Sequence, residues 1–251
     1  KGIPNFSIFG EIFISDNEPG LTAVYTHRDG FPQVLDFAFA AAMQLVLGKD
    51  KGTSQLAKWA DGDHLYKGGV MSALDLPIFN GNHDMGRLST LIRAAKPDIS
   101  DEELLARVRL GTEMTFLLRG VPTVYYGDEQ GFVGDGNDQA AREDMFPSLT
   151  ASYNDNRLIG TSKTTADDNF DRQHPLYQTI AMLSSLRKEH PALRRSPMTL
   201  RMDEGKSGIF AVSRFDPVNG AEYLIVFNTS TTGWSGQIEV DAGSGAFRPF
   251  Y

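Results

Sequence analysis

The sequence predicts an α/β chain: a parallel sheet with crossover helices in its first part, and a small antiparallel β unit in its last. Two observations predict it. Strand-like runs at Asn5–Phe13, Leu74–Gly81 and Val121–Gly127 alternate with helix-like stretches, the pattern of strand–helix–strand units. After about Leu193 the period changes, and MTLRM, GIFAVSRF, AEYLIVFN and GQIEV read as short strands between Gly, Asn, Asp and Pro turns. The resulting division near residue 195 gives a first domain over 1–194 and a second over 195–251.

Each element has a local reason. NFSIFGEIF (Asn5–Phe13) is β-rich and runs into the polar loop SDNEPG. Pro32–Leu47 reads as an apolar helix ending at Gly48, with Asp36 its one interior charge. Leu56–Tyr66 reads as a short helix broken at Gly62, with Trp59 in the core. Ser100 is a good N-cap, and Glu103 completes a capping box for a helix over Asp101–Leu118. Val121–Gly127 is a strand with Tyr125 and Tyr126 on opposite faces. The last long helix, in HPLYQTIAMLSSLRKEHPAL, has Pro175 in its first turn and basic residues near its end.

The bulk numbers bound the function. The chain has 251 residues, 41% of them hydrophobic and 22% charged, with a net charge of -8. That sign disfavours nucleic acid and anionic membrane surfaces as partners. The absence of cysteine excludes disulfides and thiolate metal sites and leaves the compartment open. The apolar stretch Phe37–Leu47 is too short to span a bilayer.

Carboxylates sit where chemistry is expected. In a parallel α/β barrel the active site is built at the carboxyl ends of the strands. Glu11 lies at the end of the first strand-like run, Asp84 follows the second in FNGNHDMGR, and Asp128 and Glu129 follow the third. Partial desolvation suits such groups to acid–base work, and converging carboxylates are the minimum equipment for cleaving a glycosidic bond. Each residue also has a structural alternative. Glu11 could form an ion pair, and His83 could be a hydrogen-bonded structural histidine. Asp84 could cap the helix that follows, and Asp128 and Glu129 could pair with nearby arginines.

FGEIF, FNGNHDMGR and GVPTVYYGDEQGF, in this order and at these separations, resemble the fifth-, seventh- and eighth-strand motifs of the α-amylase superfamily barrel. The resemblance covers about residues 1–240. It implies the second half of a TIM (β/α)8 barrel, strands five to eight, followed by part of a C-terminal antiparallel β domain. It implies a retaining glycoside hydrolase acting on starch-like α-glucans or malto-oligosaccharides, with Glu11 as general acid/base. Asp84 would hold the sugar hydroxyls and the distorted ring, and His83 would bond a hydroxyl. Arg142 resembles loop arginines used near the substrate, against the alternative of a surface ion pair.

The family's nucleophile is a different aspartate, in a motif resembling G-F-R-x-D, which this sequence lacks, as it lacks the D-x-x-x-N-H pattern of the first half. The expectation is a fragment beginning just before the fifth strand, inactive alone, and prone to self-associate or to pair with the missing half-barrel. No cofactor is expected in this segment. GDGNDQAARED lacks the spacing, central Gly and terminal Glu of a calcium loop, although the family makes calcium an expectation for a longer protein. A transglycosylase or isomerase of the same superfamily, and a non-catalytic carbohydrate-binding relative, are the alternative readings.

Overall fold

The computed structural model describes residues 6–251. Its first part is built on two short parallel pairings, linked by one main-chain hydrogen bond into a ladder of four chain segments met in sequence order. Gly10 bridges Val34 in parallel, with the Gly10 amide donating to the Gln33 carbonyl at 2.9 Å and Leu35 donating back to Gly10 at 3.0 Å. The Asp36 amide then donates to the Pro77 carbonyl at 3.0 Å.

The connections between the rungs are helical. They are α1 (Pro19–Arg28), α2 (Phe37–Met43), α3 (Ser54–Asp61) and α4 (Val70–Ala73) before β1 (Pro77–Ile78), then α5 (Leu88–Ala95) and α6 (Asp101–Leu117) before β2 (Val121–Pro122). β1 and β2 pair in parallel, Pro77 opposite Val121 and Ile78 opposite Pro122. A one-turn helix α7 (Ala151–Asn154) interrupts the long loop after β2, and α8 (Pro175–Glu189) and α9 (Ala192–Arg195) follow. The second part is the antiparallel sheet β3–β4–β5, with β3 Thr199–Met202, β4 Ile209–Phe215 and β5 Glu222–Asn228.

Several expectations need correction. Asn5 lies outside the described residues, and within residues 6–13 only Gly10 joins a ladder, so the expected first strand is a single bridge. The apolar run from Pro32 is also not helical from its start. Val34 pairs with Gly10, and Asp36 is the N-cap of α2, its carboxylate accepting from the Phe39 amide at 3.0 Å. A carboxylate committed to a cap ends the extended segment and starts the helix there. α2 continues as a π-helical turn over Gln44–Gly48. GQIEV forms no strand, and its residues have no ladder partner among those described.

Other elements formed where their local signals lay. Ser100 accepts from the Glu103 amide at 3.1 Å and opens α6, but the Glu103 carboxylate pairs with Arg107 at 2.8 Å and does not close the expected capping box. Pro175 opens α8 behind His174, whose ring nitrogen accepts from the Leu176 amide at 3.2 Å.

Buried arginines tie these elements together. Arg119, just before β2, bonds Asp36 and reaches Asp63 at 2.6 Å, and its guanidinium lies 4.1 Å from the Trp59 ring centre. Trp59, wholly buried as expected, donates to Asp36 at 2.9 Å. Arg187 of α8 and Arg214 of β4 have no carboxylate partner among the described residues. They donate instead to main-chain oxygens, at and just after the end of α6 and, for Arg214, also at Ser196 after α9. Arg187 meets Phe116 at 2.6 Å and Gly120 at 2.8 Å, and Arg214 meets Leu118 at 3.0 Å and Ser196 at 2.6 Å. Cations at a helix C-terminus complement its dipole. Burial still pushes both down, Arg187 to about 10 and Arg214 to about 9.

Candidate active site

Because the ladder is parallel, the chain leaves every rung on the same edge of the sheet. Glu11 leaves after Gly10, the segment from Phe79 leaves after β1, and the Tyr125–Gln130 segment follows β2. That edge is where barrel enzymes place their site residues.

The segment after β1 is a built turn. The Asn82 side-chain oxygen accepts from the amides of Asp84 at 3.0 Å and Met85 at 2.8 Å, and Asn82 and Gly86 exchange main-chain hydrogen bonds. Asn is suited to this, since its short side chain can replace the main-chain acceptor of a turn. Gly86 has φ +89, and a Cβ there would lie 2.6 Å from the Gly136 carbonyl oxygen, so both conformation and packing demand glycine. The helix that follows begins only at Leu88, so Asp84 is not its cap.

On this turn Asp84 sits between two cationic or polarisable partners. His83 Nε2 is 3.4 Å from one carboxylate oxygen, and Arg142 Nη2 is 3.3 Å from the other. Arg142 also holds Asp138 at 2.9 Å. Contacts of 3.3–3.4 Å are longer than good hydrogen bonds, and about 40% of the Asp84 side chain is exposed. The carboxylate is therefore oriented and still open to hydroxyl donors. The Tyr125 ring centre is 6.4 Å from that of His83 and packs edge-on against Tyr126 at 4.7 Å. Tyr125 is half-buried and Tyr126 is 42% exposed. Neither belongs to a regular strand, because β2 ends at Pro122.

The sequence-derived candidates thus fall into two groups. His83, Asp84 and Arg142 form one contact cluster. Glu11 is exposed on the same sheet edge and makes no ion pair or side-chain hydrogen bond among the described residues. Asp128 takes its structural alternative, pairing with Arg87 at 2.7 Å. Burial pushes the Asp128 carboxyl up to about 6 although Arg87 pulls it the other way. Glu129 accepts from the Gly127 amide at 2.9 Å.

Arg87 and Glu143 escape a reading of the sequence. They form a buried pair at 2.8 Å, joining residues 56 positions apart. The one available signal is that each stands beside a candidate residue, Arg87 at the end of FNGNHDMGR and Glu143 next to Arg142.

Among the described residues no group of three or more His, Asp or Glu side chains is arranged to hold a metal ion. A cavity of about 810 Å³ lies away from this cluster, over Tyr223 and the 243–251 segment. Its carboxylate, Glu222, is already bonded by Ser213, Ser244 and Arg201.

Residues 2–196 match the family model of the α-amylase catalytic domain. The chain belongs to that family. It is 38% identical over 251 residues to an α-amylase of Streptomyces lividans, covering 100% of this chain and 27% of that one. It is 29% identical over 189 residues to a cyclomaltodextrin glucanotransferase of Geobacillus stearothermophilus, covering 74% of this chain and 21% of that one. The chain therefore spans about a quarter of the length of these curated relatives. Among solved structures, an Anoxybacillus α-amylase superposes with a TM-score of 0.68 at 23% identity, over 90% of this chain and 42% of the other. The fold of this α-amylase-family chain is accordingly a partial barrel of that type.

Proposed function

We propose that residues 1–194 are strands five to eight of an α-amylase-type (β/α)8 barrel and that 195–251 open its C-terminal β domain. On this reading the complete protein is a retaining hydrolase of starch-like α-glucans or malto-oligosaccharides. The observation that carries it is the His83–Asp84–Arg142 cluster, standing on the same edge of a parallel ladder as Glu11 in a chain of this family. Glu11 protonates the glycosidic oxygen and then activates water. Asp84 and His83 bond the sugar hydroxyls and favour the distorted ring of the oxocarbenium-like transition state. Arg142 holds the Asp84 carboxylate. The nucleophile, which a retaining enzyme needs at roughly 5 Å from the acid, belongs to the preceding half of the barrel. Any calcium of the complete protein would be held mainly outside these residues.

Replacing Glu11 with Gln in the complete catalytic domain is expected to lower kcat/KM on a malto-oligosaccharide by about 10³-fold or more, without unfolding it. The 251-residue chain alone is expected to release no reducing sugar. Hydrolysis by the chain alone, abolished in Glu11→Gln, would place the nucleophile within it and overturn this assignment of roles.

Cyclomaltodextrin glucanotransferases among the relatives support a second reading, in which a sugar hydroxyl replaces water as acceptor. Product analysis separates the two: linear oligosaccharides for the hydrolase, cyclic or elongated ones for the transferase.

Exposed Phe6, Phe9 and Phe13 on one side of the ladder, and Val121 and Val124 on the other, support pairing of the isolated chain with a second copy or with the missing half-barrel. A purely monomeric elution at micromolar concentration would count against such self-association.

A further inference from the structure

We infer that Arg87 is the positioning residue of the candidate site: one buried guanidinium fastens the His83–Asp84 turn to the two segments that complete the cluster. The inference rests on the functional reading above for the role of Asp84, and on geometry alone for the fastening. Arg87 is 1% exposed, and its donors go in three directions. Nε donates to Glu143 at 2.8 Å, and Nη1 to Asp128 at 2.7 Å and the Tyr126 carbonyl at 2.9 Å. Nη2 donates to the Ala141 carbonyl at 3.2 Å. The guanidinium carbon lies 4.6 Å from the Tyr125 ring centre and 5.1 Å from that of Phe132.

These contacts close a ring through the site. Arg87 is three residues after Asp84 and binds the carbonyl of Ala141, which also accepts from the Tyr125 hydroxyl at 3.0 Å. The next residue, Arg142, returns to Asp84. The Asp84 carboxylate is thus held by Arg142 from a segment whose own position Arg87 sets. A lysine cannot reproduce this, because an ammonium lacks the planar fork that meets two carboxylates and two carbonyls at once. Glu143 is fully buried, and its second carboxylate oxygen has no partner among the described residues. Its burial is therefore committed to Arg87.

The test uses three variants of the complete catalytic domain: Arg87→Lys, Glu143→Gln and the double variant Arg87→Met/Glu143→Leu. Removing Arg87 alone leaves two carboxylates facing each other and risks misfolding. The double variant removes the fully buried pair together, leaving only the partly exposed Asp128.

In Arg87→Lys and the double variant, kcat on a malto-oligosaccharide is expected to fall about 10- to 100-fold with KM within about threefold, the signature of a mispositioned group. The amides of Asp84, Met85 and Gly86 are expected to exchange at least about tenfold faster, with α6 unchanged. Glu143→Gln, whose amide oxygen can still accept from Nε, is expected to keep most of both. Folded variants with unchanged exchange in the 82–86 turn, or with unchanged kcat, would overturn the inference. Asp84→Asn runs alongside. If it leaves kcat unaltered, the role of Asp84 fails, while the exchange rates still decide whether Arg87 fastens the turn.

Discussion

The two sheets of this chain are held together in opposite ways. β4 and β5 pair along seven consecutive residues, Ile209 to Phe215 against Asn228 to Glu222. Ile209 to Arg214 are all buried. The parallel ladder has rungs of one or two residues, and apolar residues along and beside its outer segments, Phe6, Phe9, Phe13, Val121 and Val124, are exposed. An antiparallel hairpin finds its partner a few residues away in the same chain. A parallel strand of a barrel needs neighbours supplied by distant segments on both sides. The pairing of the hairpin is therefore complete in itself, while its buried side chains share the core of the helices. The ladder is fixed from outside by helices and by buried arginine clusters.

The sharpest way to break this contrast is to remove the cluster that supports the ladder. Arg119→Met deprives fully buried Asp36, and Asp63 beside it, of their counter-charge while keeping the stacking bulk against Trp59. The expected loss is about 3–5 kcal/mol in urea unfolding, the cost of leaving buried charge unpaired. Desolvation already holds the Asp63 carboxyl above its usual range, with Arg119 opposing it. A loss under about 1 kcal/mol would mean that apolar packing alone holds the ladder.

A smaller effect comes from His174, whose neutral ring caps α8 through Nδ1 and donates through Nε2 to the Ile159 carbonyl at 3.0 Å. Burial lowers its pKa from the usual 6.5. The unfolded chain therefore takes up the proton first, so this contribution is intact above 6.5 and lost as the pH falls below it. The expected loss at pH 5 is on the order of 1 kcal/mol, typical of a helix cap. Thermal unfolding should show it as a drop in Tm between pH 7 and pH 5. His174→Asn, which keeps a cap acceptor and removes the titration, should flatten that slope. A slope unchanged in His174→Asn would assign the acid sensitivity elsewhere.

What the sequence made legible follows the same division. α6 was readable because the Ser100 cap is a local signal, and α8 because Pro175 is. α1 was not, because PGLTAVYTHR turns Pro19, Thr22, Ala23 and Thr26 inward, a buried face of small and polar residues with no apolar period. The rung at Val34 was hidden because its apolar run continues without a break into α2, and only Asp36 marks the change. In the site, FNGNHDMGR located the Asp84 turn, since that turn is closed by its own Asn82 and Gly86. The Arg87–Glu143 pair spans 56 residues, and no local pattern encodes a contact of that range.

Amide exchange, compared between the 251-residue chain and the same residues within the complete catalytic domain, tests the half-barrel account most directly. Among the described residues the amides of Phe9, Glu11 and Val124 have no main-chain acceptor. They lie on the two outer sides of the ladder, where the remaining strands would pair. If the chain is half of a barrel, these amides gain at least about a hundredfold in protection in the complete domain, with the β4–β5 amides alike in both. Equal exchange at Phe9, Glu11 and Val124 in the two proteins would contradict it.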